Sequence, residues 1–215
     1  MTKDTLTLVI DTAADVLSVA VLDGSNKPLA HHEETVWRDM AARLQPEIAS
    51  VLKEARAEFR DISQICVNLG PGSFTSIRIG LAAVKALSFA LAIPAYGANG
   101  LEALARPYFR GKKPVFVCLK AVGRDVYCQR FGADGKPAAD AKALPMPEAL
   151  AQCPAGAVLL TNTEIDQNLT PPKAEVKKIT AAAPADIAAV AKGSGHSADL
   201  SPVYVRPLTY KKQIA

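Results

Sequence analysis

With 215 residues, 49% apolar and 21% charged side chains and a formal charge of +4, the sequence describes an ordinary water-soluble globule, one large domain or two small ones. The positive excess is too small to argue for RNA by itself, and the longest apolar run, Leu81 to Ala95, is broken by Lys85 and Ser88 and falls short of the roughly 20 residues of a membrane span. Four cysteines without a Cys-x-x-Cys pair read as core thiols of a reducing compartment, and three histidines, His31, His32 and His196, of which the first two point to opposite faces of a strand, argue against a catalytic metal site.

Met1 to Asp4 leads into an apolar stretch too short for the core of a signal peptide, so export is not expected. Thr5 to Ile10 reads as a strand that ends at Asp11-Thr12-Ala13, and Leu17 to Leu22 resumes the alternation as far as the turn Asp23-Gly24-Ser25-Asn26. Pro28 to Glu34 is a third, more polar strand suited to a sheet edge, so a three-stranded meander opens the fold. Where the first strand ends, Asp11 and Thr12 pair a carboxylate with a hydroxyl, which can face a phosphate or a hydrated cation, or simply cap the turn.

From Met40 to Phe59, Leu44, Ile48, Val51, Leu52, Ala55 and Phe59 recur at helical spacing, with Arg43, Glu47, Lys53 and Glu54 on the other face. Pro46 implies that this amphipathic helix starts near it or kinks there, since an internal proline costs about 3 kcal/mol. Ile62 to Leu69 is the next strand, and it feeds Gly70-Pro71-Gly72-Ser73-Phe74-Thr75, a tight, stiff turn into a helix from Phe74 to Leu91. Ser73 and Thr75 can cap that helix, and the same small-residue approach suits an anion; no Gly-Lys-Ser/Thr follows, so this is not a Walker loop. The helix carries two apolar stripes, Ile77, Leu81, Val84 and Leu91 on one line and Ile79, Ala83, Ala86 and Ala90 on another. It therefore needs two covering neighbours, the sheet and either the preceding helix or a separate chain. Arg78 and Lys85, seven apart, share one line where they either meet acidic groups at a contact rim or solubilise the exposed strip.

Pro94 to Gly97 reads as a short strand, and Asn99 caps a helix through Arg106. The basic, proline-flanked stretch Arg106 to Pro114 marks a domain boundary or a long connection, and the expected division is into residues 1–107 and 108–215. In the second half, Val115 to Ala121 and Asp125 to Phe131 form a hairpin around Gly123-Arg124, and Ala133-Asp134-Gly135 turns out of it. Beyond these, a short helix at Met146 to Gln152, strands at Ala157 to Thr161 and Val176 to Ile179, an alanine-rich helix at Asp186 to Lys192, a loop from Gly193 to Asp199 and a strand-like Val203 to Pro207 complete the reading.

Val9-Ile10-Asp11-Thr12-Ala13, the long amphipathic helix, Gly70-Pro71-Gly72-Ser73-Phe74-Thr75 and Arg78-Ile79-Gly80 together resemble the bacterial TsaB (YeaZ) family, and the glycine-proline motif is highly specific for it. Asp125-Val126-Tyr127 and Pro202-Val203-Tyr204-Val205-Arg206 are similar to the family too, while the middle of the second half matches in outline only. The resemblance implies a two-lobed α/β fold of the actin-like (ASKHA, RNase H-like) type, mixed sheets flanked by helices. It implies a cytoplasmic, non-catalytic subunit that binds and activates a TsaD-like threonylcarbamoyltransferase. That enzyme modifies the adenosine next to the anticodon in tRNAs reading codons that begin with A. It implies further that a TsaE-like P-loop ATPase completes the complex, that tRNA is reached through it and that no membrane is involved; the apolar helix after the turn leads to the expectation of a homodimer when the subunit is isolated.

No cofactor is required under this reading; a nucleotide, if one binds, would use a vestigial phosphate cradle of Asp11, Thr12, Gly70, Gly72, Ser73 and Thr75. The docking face falls on the two long helices, at Leu44, Ile48, Ile77, Arg78, Leu81, Val84, Lys85 and Ser88. Three departures from the family pattern stand out: Ser76 for a glycine, Met40 for a histidine, and Lys120-Ala121-Val122 for Asp-Ala-Arg. They point to altered partner contacts and to no nucleotide role for the second lobe. Two other readings compete: an actin-fold phosphotransferase using Asp11, and a glycoprotease-like metallopeptidase, which needs a histidine pair at metal-binding spacing that this sequence lacks.

Overall fold

The computed structural model describes residues 5–36, 38–121, 123–169, 171, 173–194 and 200–205. Met1 to Asp4, Val122, His196, Arg206-Pro207, Lys211-Lys212 and most of the Gly193 to Asp199 loop lie outside these residues.

Alternating apolar residues build the opening meander, β1 (Leu6–Asp11), β2 (Val16–Leu22) and β3 (Pro28–Thr35). Helix α1 (Met40–Glu54) follows, then β4 (Ile62–Asn68), α2 (Phe74–Leu91), β5 (Ala95–Ala98) and α3 (Gly100–Ala105). β1 pairs antiparallel with β2 and parallel with β4, giving a mixed sheet in the order β3-β2-β1-β4-β5, with the polar β3 at the edge. The second sheet is made of β6 (Val115–Lys120), β7 (Asp125–Phe131), β8 (Lys142–Pro145), β9 (Val158–Thr161) and β10 (Glu175–Lys178), in the order β10-β9-β6-β7-β8. It repeats the arrangement of the first, three antiparallel strands and two parallel ones. Helix α4 (Met146–Leu150) follows β8 and α5 (Pro184–Gly193) closes the regular structure.

Side chains on a strand alternate between faces, and the alternation sorts the molecule into five layers. Leu8, Ile10, Val19, Val21, Ile65 and Val67 meet Leu44, Ile48, Val51, Ile77, Leu81 and Val84 of α1 and α2 on one side of the first sheet. Val9, Ala20, Leu22 and Cys66 face the other way, toward α3, α5 and the inner face of the second sheet, where Val115, Val117, Phe131 and Leu160 sit. Phe116, Cys118, Cys128 and Leu159 point outward again, onto α4. All four cysteines are free and buried, and burial pushes the thiols up, to about 11 for Cys66 and Cys153 and about 12 for Cys118.

Several details differ from the sequence reading. α1 starts at Met40 and carries Pro46 inside it. Pro46 lies on the exposed face, so the carbonyl it deprives of an intrahelical partner can bond water instead. The helix stops before Phe59: Arg56 takes a left-handed φ of 53°, and the Ala57 N–H returns to the Leu52 carbonyl at 2.9 Å. Phe59 opens a single 3-10 turn. β8 had no counterpart in the sequence reading, because its four residues include a proline and show no alternation of buried and exposed positions. Val203 to Val205 is not a strand; it makes one ladder-like bond, from the Val203 N–H to the Leu69 carbonyl at 2.9 Å.

Candidate functional site

The first loop and the glycine-proline turn are built against each other. Asp11 ends β1 buried, with one carboxylate oxygen accepting the Ala13 N–H at 2.8 Å and the other accepting the Asn68 side-chain amide at 2.9 Å. Asn68, at the end of the neighbouring β4, uses its own oxygen to accept the Gly70 N–H at 2.8 Å. Burial raises the Asp11 pKa, and the bonds from Ala13 and Asn68 oppose the rise. Gly70 has a φ of 94°, a left-handed conformation that only glycine adopts without strain. At Gly72 the reason for glycine is different: a Cβ there would overlap the Ala13 carbonyl. The Ser73 N–H donates to that same carbonyl at 2.7 Å, the Thr12 hydroxyl donates to the Ser76 carbonyl at 2.8 Å, and a Cβ on Gly80 would meet the Thr12 hydroxyl.

Most of the polar groups expected to cradle a phosphate are therefore already used within the chain. The Ala13 carbonyl holds the Ser73 amide, Thr12 is fully buried and bonded, and Ser73 acts as the N-cap of α2, accepting from the Ser76 N–H at 3.4 Å and from the Ser76 hydroxyl at 3.0 Å. Asp11, Thr12, Gly70 and Ser73 are joined in one bonded network through Asn68, Ala13 and Ser76, Gly72 packs against the Ala13 carbonyl, and Thr75 alone of the six is exposed. A cleft of about 450 Å³ opens beside it, between Ala13 to Asp15 and Pro71 to Thr75 on one wall and Leu119, Lys120, Ala121, Tyr127 and Asn162 on the other. Among the described residues no group of three or more His, Cys, Asp or Glu side chains is arranged to hold a metal ion.

The second feature is the outer face of α2. This helix of 18 residues has a mean hydropathy of 1.5, yet only 22% of it is buried. By length and composition alone it is apolar enough to cross a membrane, but Ile77, Leu81 and Val84 anchor it to the first sheet. Five residues assigned from the sequence to a docking face, Leu44, Ile48, Ile77, Leu81 and Val84, are buried in the chain's own core and cannot meet a partner. Ser88 is half-buried, with its hydroxyl donating to the Ile93 carbonyl at 2.6 Å. Met40 is buried as well, so its replacement of a family histidine bears on the core.

The solvent side of α2 presents Arg78, Ala82, Lys85, Ala86, Phe89 and Ala90. Phe89, 90% exposed, is the most conspicuous, and the sequence reading did not single it out. The signal was present: Phe74, Arg78, Ala82, Lys85 and Phe89 fall on one line at steps of three and four.

Comparison with known proteins fits this arrangement. A crystal structure from Pseudomonas aeruginosa, described as an uncharacterized protein with similarity to peptidase YEAZ, superposes with a TM-score of 0.78 at 26% identity, covering 94% of this chain and 100% of that one. YeaZ from the same organism gives 0.76, also at 26% identity, over 93% and 99%. The tRNA threonylcarbamoyladenosine biosynthesis protein TsaB of Buchnera aphidicola subsp. Schizaphis graminum is 34% identical over 122 residues, 56% of this chain and 57% of that protein. A tRNA N6-adenosine threonylcarbamoyltransferase of Clostridium kluyveri is 34% identical over 145 residues, 59% of this chain and 42% of that protein. The matches thus span about half the length of these curated relatives. The family described as TsaD, tRNA N6-adenosine threonylcarbamoyltransferase, matches residues 32–192, most of the chain. The chain belongs to that family, and its match to TsaB over about half its length, with the likeness to YeaZ structures over nearly all of it, sets it with the TsaB/YeaZ members.

Proposed function

We propose that this chain is a non-catalytic subunit that binds a TsaD-like threonylcarbamoyltransferase and activates it for threonylcarbamoyladenosine modification of tRNA, in the cytoplasm. The observation that carries the reading is the outer face of α2, an 18-residue apolar helix that the chain's own fold leaves largely uncovered. Kinship with TsaB proteins supports the pathway, and the matches to transferases of the same family support a relative of this fold as the partner. In this proposal a TsaE-like P-loop ATPase joins the pair, tRNA is reached through the complex, and the isolated subunit self-associates through the same face when the partner is absent. Residues 1–107 and 108–215 form its two lobes, and no cofactor is required.

The phosphotransferase reading using Asp11 loses support from the bonded network, since the Ala13 carbonyl, not a phosphate, engages the Ser73 amide. The glycoprotease-like reading gains none from the described residues.

The test is co-purification with the TsaD-like protein of the same organism, with modified tRNA measured on the product. Wild type is expected to form an active complex, and Phe89→Asp, which changes an exposed side chain, to stay folded and do neither. A wild-type protein that neither binds nor supports modification defeats the proposal; small-molecule phosphorylation abolished in Asp11→Asn would replace it.

A further inference from the structure

The N-terminal end of α2 is flanked by a segment distant in sequence, Leu200 to Tyr204. Leu200 is buried in the core cluster that the first sheet shares with α1 and α2, and the Val203 N–H bonds the Leu69 carbonyl just before the glycine-proline turn. These contacts bring the Tyr204 ring against Phe74, with centroids 5.3 Å apart and planes at 33°. The Arg78 guanidinium stands over the same Phe74 ring, 5.0 Å from its centroid. Tyr204 remains 49% exposed, and neither Arg78 nor Lys85 has an ion-pair partner among the described residues.

We propose that Tyr204, Phe74 and Arg78 form an anchor for a carboxylate on an apolar helix of the partner, so that the segment around Tyr204 is part of the docking surface. The proposal rests on the docking function above and says which residues dominate it. A guanidinium held against an aromatic face keeps its N–H groups available for a carboxylate, and exposed aromatic and arginine side chains are the types that dominate binding energy at interfaces.

Charge decides the occupant. α2 contains two cations, Arg78 and Lys85, and no Asp or Glu. Two turns, about 10 Å, separate them, with Ala82 between them leaving room for close approach. Pairing α2 with a second copy of itself about its middle sets cation against cation, Arg78 facing Lys85 in an antiparallel pair crossing at Leu81-Ala82 and Arg78 facing Arg78 in a parallel pair in register. The fitting occupant is a different chain, whose apolar helix carries carboxylates about two turns apart; a self-pair across α2 is the weaker complex and tightens as salt screens the repulsion.

The experiment is calorimetric titration of the TsaD-like subunit into wild type, Tyr204→Ala, Arg78→Ala and the double variant, at about 50 and about 300 mM salt, beside thermal melts. Each single change is expected to weaken binding about tenfold or more, the double change to cost less than the product, and Arg78→Ala to flatten the salt dependence. Binding by Tyr204→Ala within about twofold of wild type, while Phe89→Asp abolishes it, overturns the anchor and leaves the docking function standing. No binding by wild type defeats both. Should Tyr204→Ala lower the melting temperature, Arg78→Glu, on an exposed side chain, decides: abolished binding supports the anchor, and unchanged binding overturns it.

Discussion

His32, on the edge strand β3, is held between two carboxylates of α1. Its Nδ1 lies 3.0 Å from Glu47 and its Nε2 2.7 Å from Glu54. Glu54 first and then Glu47 favour the imidazolium, so the His32 pKa is raised. A folded value above the unfolded one means that the stabilisation is complete below about pH 6.5 and is lost as pH rises through the raised folded value. Denaturation midpoints of wild type and His32→Gln should therefore differ most below about pH 6.5 and converge as pH rises past the raised folded value; a gap that does not change with pH would assign the difference to packing. Asn68 has the opposite character, a buried neutral side chain whose two ends satisfy Asp11 and Gly70. Asn68→Ala leaves a buried carboxylate oxygen and a buried amide without partners and should cost on the order of 3 kcal/mol in urea unfolding. Gly72→Ala should cost a similar amount, on the order of 3 kcal/mol, because its methyl must displace the Ala13 carbonyl and with it the bond to Ser73.

At the scale of the element, α2 has a face for the core and an exposed face that the proposal gives to another chain, and substitutions should separate them. Leu81→Ala, in the core, should cost about 3 kcal/mol of stability, whereas Phe89→Asp, 90% exposed, should leave the unfolding free energy within about 0.5 kcal/mol of wild type and act on binding. Urea midpoints beside the co-purification assay measure both; a large stability loss in Phe89→Asp would show that this face is covered within the chain. The helix also shows where sequence reasoning stops. Its limits, Phe74 to Leu91, were legible because the glycine-proline turn and the Ser73 cap mark its start and the apolar pattern its length. Which stripe faces the chain's own sheet was not legible, because both read as apolar and periodicity carries no sign. Leu81 and Val84, assigned from the sequence to a docking face, lie on the core side of the helix, opposite the exposed Phe89.

For the whole molecule, the layer between the two sheets matters most. Cys66 and Ala98 of the first sheet share it with Val117 and Phe131 of the second, and α5, late in the chain, contributes Ile187 and Ala191. The two sheets thus bury one core in common, and at its rim Arg106 is paired to Asp186 at 2.7 Å in an exposed contact. Unfolding in urea, followed by hydrogen exchange on β1 and β6, should be a single transition, and a fragment ending at Pro107, stripped of α5, should not fold. Two separate transitions would show the halves to be independent.

Local information was enough for the opening meander, for α1 and its buried stripe, for β4 with the turn that follows it, and for the hairpin of β6 and β7, because alternation, helical spacing, caps and glycine turns are written in neighbouring residues. The four-residue β8 exists only because β7 offers it an edge, and the segment from Leu200 to Val205 lies where it does because Leu69 offers a carbonyl and Phe74 a ring, partners more than 100 residues away in sequence. Likewise Asp11 and Thr12 could be read as a phosphate pair until the Gly70 to Ser73 turn was seen to consume their neighbours' hydrogen bonds. Elements follow from local pattern; the face each one turns outward, and whether a polar group is free or already bonded, depends on which distant part of the chain is packed against it.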